Sequence, residues 1–409
     1  MQTQKQLEKQ ERKLGSKISG AYKKHSIKRL HDAIRQYLNS HAVKVLACKE
    51  AHRKGDKILP KELALQVNVW EPSNEVVILH PILKKNSDDY RWLLKFRQEN
   101  RARQIMLKMA LMHRFETQPE QFLMNGGRDK AIQKLVVNYN EGFQYVVELD
   151  VYRCFNSFDV SGVSKHLALP KEVCRNVLSG INLNISLSES YEKILDYNPT
   201  ESEGLTSLQE LAMMDSDWEP ARQGLTEGSL VSPFVCELLL AWVVEKLPKS
   251  KGRLINYADN FLFMCKSENE VKELHVILQE LLIKHPAGPL KVKPYKTVFK
   301  PGEPFEFLGY SIESYGGEAS IRWSEQAEKK SKKQRERVYN LLLSSASVER
   351  KANAVNRLYK KQRDLIAGFQ EWQNGKDYFR KKMTNVVLEA KTHGVTHQML
   401  VKRLKDLIE

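Results

Sequence analysis

Tyr257-Ala258-Asp259-Asn260 is a short polar turn set between two apolar runs, Leu254-Ile255 and Phe261-Leu262-Phe263-Met264. Apolar stretches on both sides of such a turn predict a β-hairpin, with Asp259 presented at the bend. About 110 residues earlier, Val146-Val147-Glu148-Leu149-Asp150-Val151 is a second apolar run with an isolated aspartate near its end. It reads as a buried strand ending at Asp150. If a fold brought two such strand ends side by side, each would present a carboxylate at the same place. A pair of this kind offers the oxygen donors that divalent cations take.

A chain of 409 residues, 41% of them apolar, can bury a large core and has room for two or three domains. Its longest apolar stretch, 230 to 247, is interrupted by Pro233, Glu237 and Glu245, so no membrane span is expected. The amino-terminal residues are rich in Gln, Lys and Glu, without the apolar segment of a secretion signal. Cys48, Cys154, Cys174, Cys236 and Cys265 lie scattered, which suits reduced thiols and argues against structural zinc. A cytoplasmic protein is the expectation. The formal charge of +16 is uneven: residues 1 to 60 carry 15 Lys and Arg against 5 Asp and Glu, residues 321 to 409 carry 21 against 10, and the middle sums to −5. Basic ends around an acidic centre suit a protein that grips a polyanion and works on it with carboxylates. Solvated basic helices account for the charge alone equally well.

Along the chain, residues 1 to 26 read as a polar, basic arm that orders on a partner. Ile27, Leu30, Ile34 and Leu38 then predict an amphipathic helix. Val76 to Leu79 and Trp92 to Phe96 are expected strands, and Arg103 to His113 a helix. After Asp150 the chain turns helical and enters an acidic stretch, Asp196 to Glu219, read as an insertion or loop. Glu268 to Lys284 has helical periodicity, and from Ser324 the sequence is basic, nearly free of Pro and Gly, and helical.

Further blocks stand in order around the two aspartates. Lys84, Lys85 and Arg91 place cations about seven residues apart on an expected hairpin, able to offset phosphate charge. Asn125-Gly126-Gly127-Arg128 pairs two glycines, which permit close backbone approach, with a cation. Phe155 follows Asp150 by five residues. Thr226-Glu227-Gly228-Ser229-Leu230-Val231-Ser232-Pro233 reads as a loop opening a helix. Lys291, Lys293 and Lys296 follow the hairpin, and Phe305-Glu306-Phe307-Leu308-Gly309-Tyr310 turns tightly at Gly309.

In this order the blocks resemble the reverse transcriptase family, over roughly Ile82 to Tyr310. The resemblance implies an α+β right-hand polymerase, with an antiparallel palm sheet carrying Asp150 and Asp259 and a basic helical thumb. It implies an amino-terminal arm and helix at 1–60, fingers at 61–145, a palm at 146–320 with an insertion at about 165–222, and a thumb at 321–409. Asp150, the Val151 carbonyl and Asp259 then hold two Mg²⁺ ions, with Mn²⁺ as a substitute. Lys84 or Lys85 and Arg91 clasp the triphosphate, Phe155 excludes a 2′-hydroxyl, Glu227 and Gly228 lie beside the nucleotide, and Lys296 protonates pyrophosphate. Arg128 and Gly309 contact template and primer. Three positions depart from the family pattern: Thr226 and Glu227 replace a proline and a glutamine, and Asn260, beside Tyr257 and Asp259, replaces a second aspartate.

No Cys/His endonuclease module, RNase H or integrase is evident. A compact, basic chain with altered motifs resembles the defence-associated bacterial reverse transcriptases most, among the group II intron and retron-like lineages. That implies RNA-directed DNA synthesis from dNTPs on a structured noncoding RNA, yielding a DNA product in antiphage defence. Two alternatives stay open: a catalytically silent RNA-binding scaffold, and a protein-primed or template-independent DNA polymerase.

Overall fold

The computed structural model describes residues 3–83, 90–114, 118–187, 224–295, 297–367, 372 and 374–401. Lys84, Lys85, Lys296 and the acidic stretch from 196 to 219 lie outside the described residues, and only the backbone of Arg91 is described.

The fold is α+β, and among the described residues it contains three small sheets. The first joins β1 (Val76–Leu83) to β2 (Tyr90–Lys95) in antiparallel register, Ile78 opposite Lys95 and Leu83 opposite Tyr90. Its third strand, β4 (Asn184–Leu187), pairs parallel with β1. Sequence reading placed only helix and loop there. Four residues of Asn-Ile-Ser-Leu are too short to show an alternation, and Ile185 becomes a strand residue because Val77, Leu79, Trp92 and Leu94 offer it an apolar surface.

The second sheet is the palm, in the order β3-β6-β5 and wholly antiparallel: β3 (Tyr145–Asp150), β6 (Asn260–Cys265) and β5 (Arg253–Tyr257). Val147, Leu149, Phe261 and Phe263 point from it into the largest core, shared with α8 (Val160–His166), α10 (Ser232–Lys246) and α11 (Glu268–Ile283). Val146, Leu262 and Met264 point the other way, into a second core with α6 (Gly127–Asn140) and the third sheet. This two-sided burial explains why β6 reads as an unbroken apolar run. The third sheet is β7 (Phe305–Phe307), β8 (Tyr310–Tyr315) and β9 (Glu318–Trp323). The carboxy-terminal helices α12 (Glu325–Leu343), α13 (Val348–Ala367) and α14 (Gly375–Thr392) enclose a core of their own around Leu342, Val355 and Val386.

The amino terminus corrects the expectation of an arm that waits for a partner. Residues Gln4–Lys23 form helix α1, opened by a Thr3–Gln6 capping box, with Leu7, Ile18 and Ala21 buried. They pack on α2 (Ile27–Asn39) and α3 (His41–Ala51). Glu11 is the anchor: it accepts a 2.5 Å hydrogen bond from the Tyr37 hydroxyl and pairs at 2.6 Å with His113, which follows α5 (Gln98–Met112). An apolar stripe thinned by lysines is easily read as solvated. Here the stripe is sufficient because its partner helices supply the rest of the interface.

Candidate active site

Strands β5 and β6 form the predicted hairpin. Tyr257 pairs with Asn260 across a two-residue turn of Ala258 and Asp259, and Ala258 has φ +53°. Asp150 lies opposite Asn260 on the neighbouring strand, and the Val151 amide donates to the Asp259 carbonyl at 3.4 Å. The two aspartates predicted from the sequence are therefore brought to one end of the same sheet. Glu148, two residues before Asp150 and so on the same strand face, completes an acidic group. Partial desolvation on the sheet, and then Asp150 and Asp259, push its carboxyl above the usual range.

Lys293 answers part of this negative charge. Its ammonium pairs with the Asp150 carboxylate, and its backbone amide donates to the Asp150 carbonyl at 2.8 Å. The segment is held by an antiparallel bridge between Val151 and Val292, with the Tyr152 amide donating to the Lys291 carbonyl at 2.7 Å. Neither of those bonds uses the Val151 carbonyl. Sequence reading singled out Lys296, which lies outside the described residues; among the described ones Lys293 is the lysine on the aspartate. Among the described residues no group of three or more His, Cys, Asp or Glu side chains is arranged as a ready-made metal cage. The donor set at the strand ends is instead two carboxylates, with Glu148 beside them, leaving further oxygen ligands to come from elsewhere, as hard divalent cations allow.

The loop before α10 lies between this centre and the first sheet. The Leu225 amide donates to the Phe155 carbonyl at 2.8 Å, and a side chain at Gly224 would overlap that carbonyl and Asn156. The Glu227 carbonyl accepts from the Leu94 amide of β2 at 3.0 Å, while Gly228, at φ +93°, leaves no room for a Cβ against the Leu94 carbonyl. Leu230 is tied to α5 by a 3.0 Å bond to Gln104. Phe155, Glu227 and Gly228 thus share one loop cluster with β2, three residues beyond the Arg91 backbone.

Arg128 and Gly309 also come together. Leu308 and Gly309 have φ of +49° and +84° in the two-residue turn joining β7 to β8. The next residue, Tyr310, donates to Asp129 at 2.6 Å, and the Arg128 guanidinium lies 5.5 Å from its ring centre. Burial raises the Tyr257 phenol, with Arg128 opposing the shift, so this cluster borders the aspartate hairpin.

Sequence reading missed the support beneath the hairpin. Asn256 is fully buried; its amide donates at 3.0 Å to both the Ala258 and Asn260 carbonyls, which are the shoulders of the turn. Gln121, also fully buried, donates to the Asn256 side-chain oxygen at 3.2 Å and to the Glu237 carbonyl at 2.7 Å. The Glu237 carboxylate in turn receives the Leu123 and Met124 amides at 3.1 and 3.0 Å, and burial pushes its pKa up to about 7. A polar residue inside the apolar run Leu254-Ile255-Asn256-Tyr257, and an acid inside an apolar helix, were the available signals.

The sequence matches the model of the family described as reverse transcriptase (RNA-dependent DNA polymerase) over residues 82–312. No curated protein sequence matches the chain. Among solved structures it is similar to telomerase from Candida albicans in complex with a fragment of telomeric RNA, at 13% identity and a TM-score of 0.34, covering 81% of this chain and 62% of that one. It is similar also to the RNA-dependent RNA polymerase of bacteriophage phi12, at 11% identity and a TM-score of 0.35, covering 78% and 53%. The chain spans less than two thirds of the length of either. The family match takes in both aspartate strands, the loop before α10 and the β7–β8 turn, more than half of the sequence, and the chain belongs to the reverse transcriptase family.

Proposed function

We propose that the chain is an RNA-directed DNA polymerase that builds DNA from dNTPs on a structured noncoding RNA, in the cytoplasm and in the service of antiphage defence. The observation that carries the polymerase reading is the meeting of Asp150 and Asp259 at one end of the palm sheet, joined by the Val151–Asp259 backbone bond. When bound there, two Mg²⁺ ions would activate a primer 3′-hydroxyl and stabilise the pyrophosphate that leaves. The Asp150 and Asp259 carboxylates would hold them, with the Val151 carbonyl as a further oxygen. Lys293, paired with Asp150, would offset the charge of that carboxylate until a metal ion takes its place. Phe155, whose carbonyl accepts from the Leu225 amide, would press its ring on the incoming sugar. Glu227 and Gly228, bonded to β2, would line the nucleotide. Lys84, Lys85, Arg91 and Lys296 are proposed for the triphosphate, Arg128 and Gly309 for template and primer. Residues 61–145, 146–320 and 321–409 would be the fingers, palm and thumb. The defence role rests on resemblance and on the altered Glu227 and Asn260 positions.

The test is DNA synthesis by the purified protein with Mg²⁺, labelled dNTPs and a primed RNA template, beside Asp259→Ala and Asn260→Asp. Incorporation that vanishes in Asp259→Ala supports the reading, and Asn260→Asp reports what the asparagine does to metal dependence. A parent that stays silent, even with RNA co-purified from its host, supports the second reading that Asn260 and Glu227 favour: an RNA-binding scaffold with a polymerase fold. A DNA adduct that survives denaturation would mark a protein-primed polymerase.

A further inference from the structure

A cavity of about 600 Å³ opens on the outer face of α10, where the turn between α1 and α2 meets α8 and the end of α5. None of its lining residues belongs to the aspartate site. Four basic side chains reach its wall: His25 from the α1–α2 turn, Arg114 from the end of α5, and Lys165 and His166 from the last turn of α8. Among the described residues lining it Glu245 is the one acid, and it makes no ion pair with Arg114.

Arg114 is the unusual member. Its guanidinium lies 5.7 Å from the Tyr22 ring centre, and burial lowers its pKa to about 10. Among the described residues no carboxylate pairs with it. Its charge also weighs on His166, whose pKa is lowered by burial first and by Arg114 second. Arg114 is half-buried on the cavity wall, and a guanidinium partly withdrawn from water is best stabilised by an anion or a dense set of acceptors. Two residues on the wall, His25 at φ +49° and Ala168 at φ +42°, hold left-handed backbone that side chains other than glycine rarely adopt. Strain of that kind persists where the surroundings impose it, and it gathers at binding sites. The rest of the wall sets Ser26 and Gln118 among apolar and aromatic side chains that include Leu30, Leu238 and Trp242.

We propose that this cavity binds the phosphate of a nucleotide unit, with the Arg114 fork and the Lys165 ammonium on the phosphate and the sugar or base against Leu30 and Trp242. A guanidinium matches phosphate in a planar, two-pronged geometry that an ammonium cannot. The volume lies within the range of small-ligand pockets, roughly 300–1,000 Å³. The nucleotide unit could belong to an RNA chain or be free in solution, and the chemistry of recognition is the same. The inference does not depend on polymerase activity, and neither probe below reads incorporation.

The test compares the full chain with Arg114→Gln, Arg114→Lys and Lys165→Gln. AMP is titrated by calorimetry, and a single-stranded RNA of about 20 nucleotides by fluorescence anisotropy over a series of salt concentrations. If RNA supplies the phosphate, Arg114→Gln weakens RNA binding about tenfold and lowers the slope of log K against log salt by about 0.7, one phosphate's worth of counterions on a single strand. Arg114→Lys falls between, because charge is kept and the fork is lost. If a free nucleotide is the ligand, AMP binds the parent, is lost in Arg114→Gln, and RNA binding is unmoved. Should Arg114→Gln fail to fold, Lys165→Gln at the exposed rim carries the test, with an expected loss of a few fold in one probe. Folded Lys165→Gln and Arg114→Gln proteins that bind both probes within twofold of the parent would overturn the proposal. So would a parent that binds AMP not at all and RNA with a slope identical to that of Arg114→Gln.

Discussion

Replacing Asn256 by alanine tests whether the aspartate turn is held from beneath. The substitution deletes the two 3.0 Å bonds to the Ala258 and Asn260 carbonyls and the 3.2 Å bond from Gln121. Each intramolecular hydrogen bond contributes about 1 kcal/mol net, and a buried group left without its partner costs about 1–3 kcal/mol. Because Asn256 and Gln121 are fully buried, water does not replace the amide readily, and a total loss of about 3–5 kcal/mol follows. Urea unfolding followed by tryptophan fluorescence measures it. Asn256→Asp sharpens the test, since it keeps volume and the acceptor for Gln121 but turns an oxygen toward two carbonyls. It should destabilise at least as much as alanine, which a pure packing role would not produce. In the synthesis assay both variants should need more Mg²⁺ for half-maximal incorporation, because a loosened turn places Asp259 less well. An alanine variant within about 1 kcal/mol of the parent, with unchanged Mg²⁺ dependence, would refute the bracing role.

Glu237 predicts a pH dependence. Its folded pKa of about 7 lies above the ordinary 4.5, so the folded state holds its proton more tightly than the unfolded chain. The stability this brings is complete below about pH 4.5 and is lost as pH rises through 7, by roughly 3 kcal/mol at about 1.4 per unit. Urea midpoints from pH 5 to 8 should fall for the parent and flatten in this window for Glu237→Gln. Gly228→Ala should cost about 2 kcal/mol or more, since φ of +93° disfavours a side chain and the Leu94 carbonyl occupies its place. The variant should lose incorporation through separation of the loop from β2, and a stable, active protein would contradict the packing. Lys293→Ala frees the Asp150 carboxylate from a competing cation, and the Mg²⁺ concentration for half-maximal incorporation should drop severalfold. An unchanged or higher requirement would mean that Lys293 positions Asp150 rather than competing at it.

How much of this was legible depends on the reach of the pattern concerned. Strand β6 shows itself as Phe261 to Met264, the hairpin as a polar pair between apolar runs, and helix α11 as Glu268 to Lys284, each within one stretch of chain. The pairing of Asp150 with the hairpin was inferred from the order of several blocks, and the register of β3 on β6 bears it out. Strand β4 escaped because its short segment takes its conformation from β1, about 100 residues earlier. The packing of α1 escaped because its charge is as visible as its stripe. Lys293 was one of three lysines in a basic segment, and nothing local distinguishes it from Lys291.

By itself the sequence determined what neighbouring residues settle among themselves: the longer strands and helices, the turns between them, and that Asp150 and Asp259 each stand at the end of an apolar run. Backbone geometry repeats every two residues in a strand and every 3.6 in a helix, so burial leaves a periodic trace that can be read locally. Only the tertiary structure decided that Lys293 lies on Asp150, that Gln121, Glu237 and Asn256 brace the turn, and that Arg114 faces a cavity beside Lys165. Those arrangements join residues tens to more than a hundred positions apart. A charge or an amide has no periodicity of its own, and its partner is chosen by which apolar faces meet.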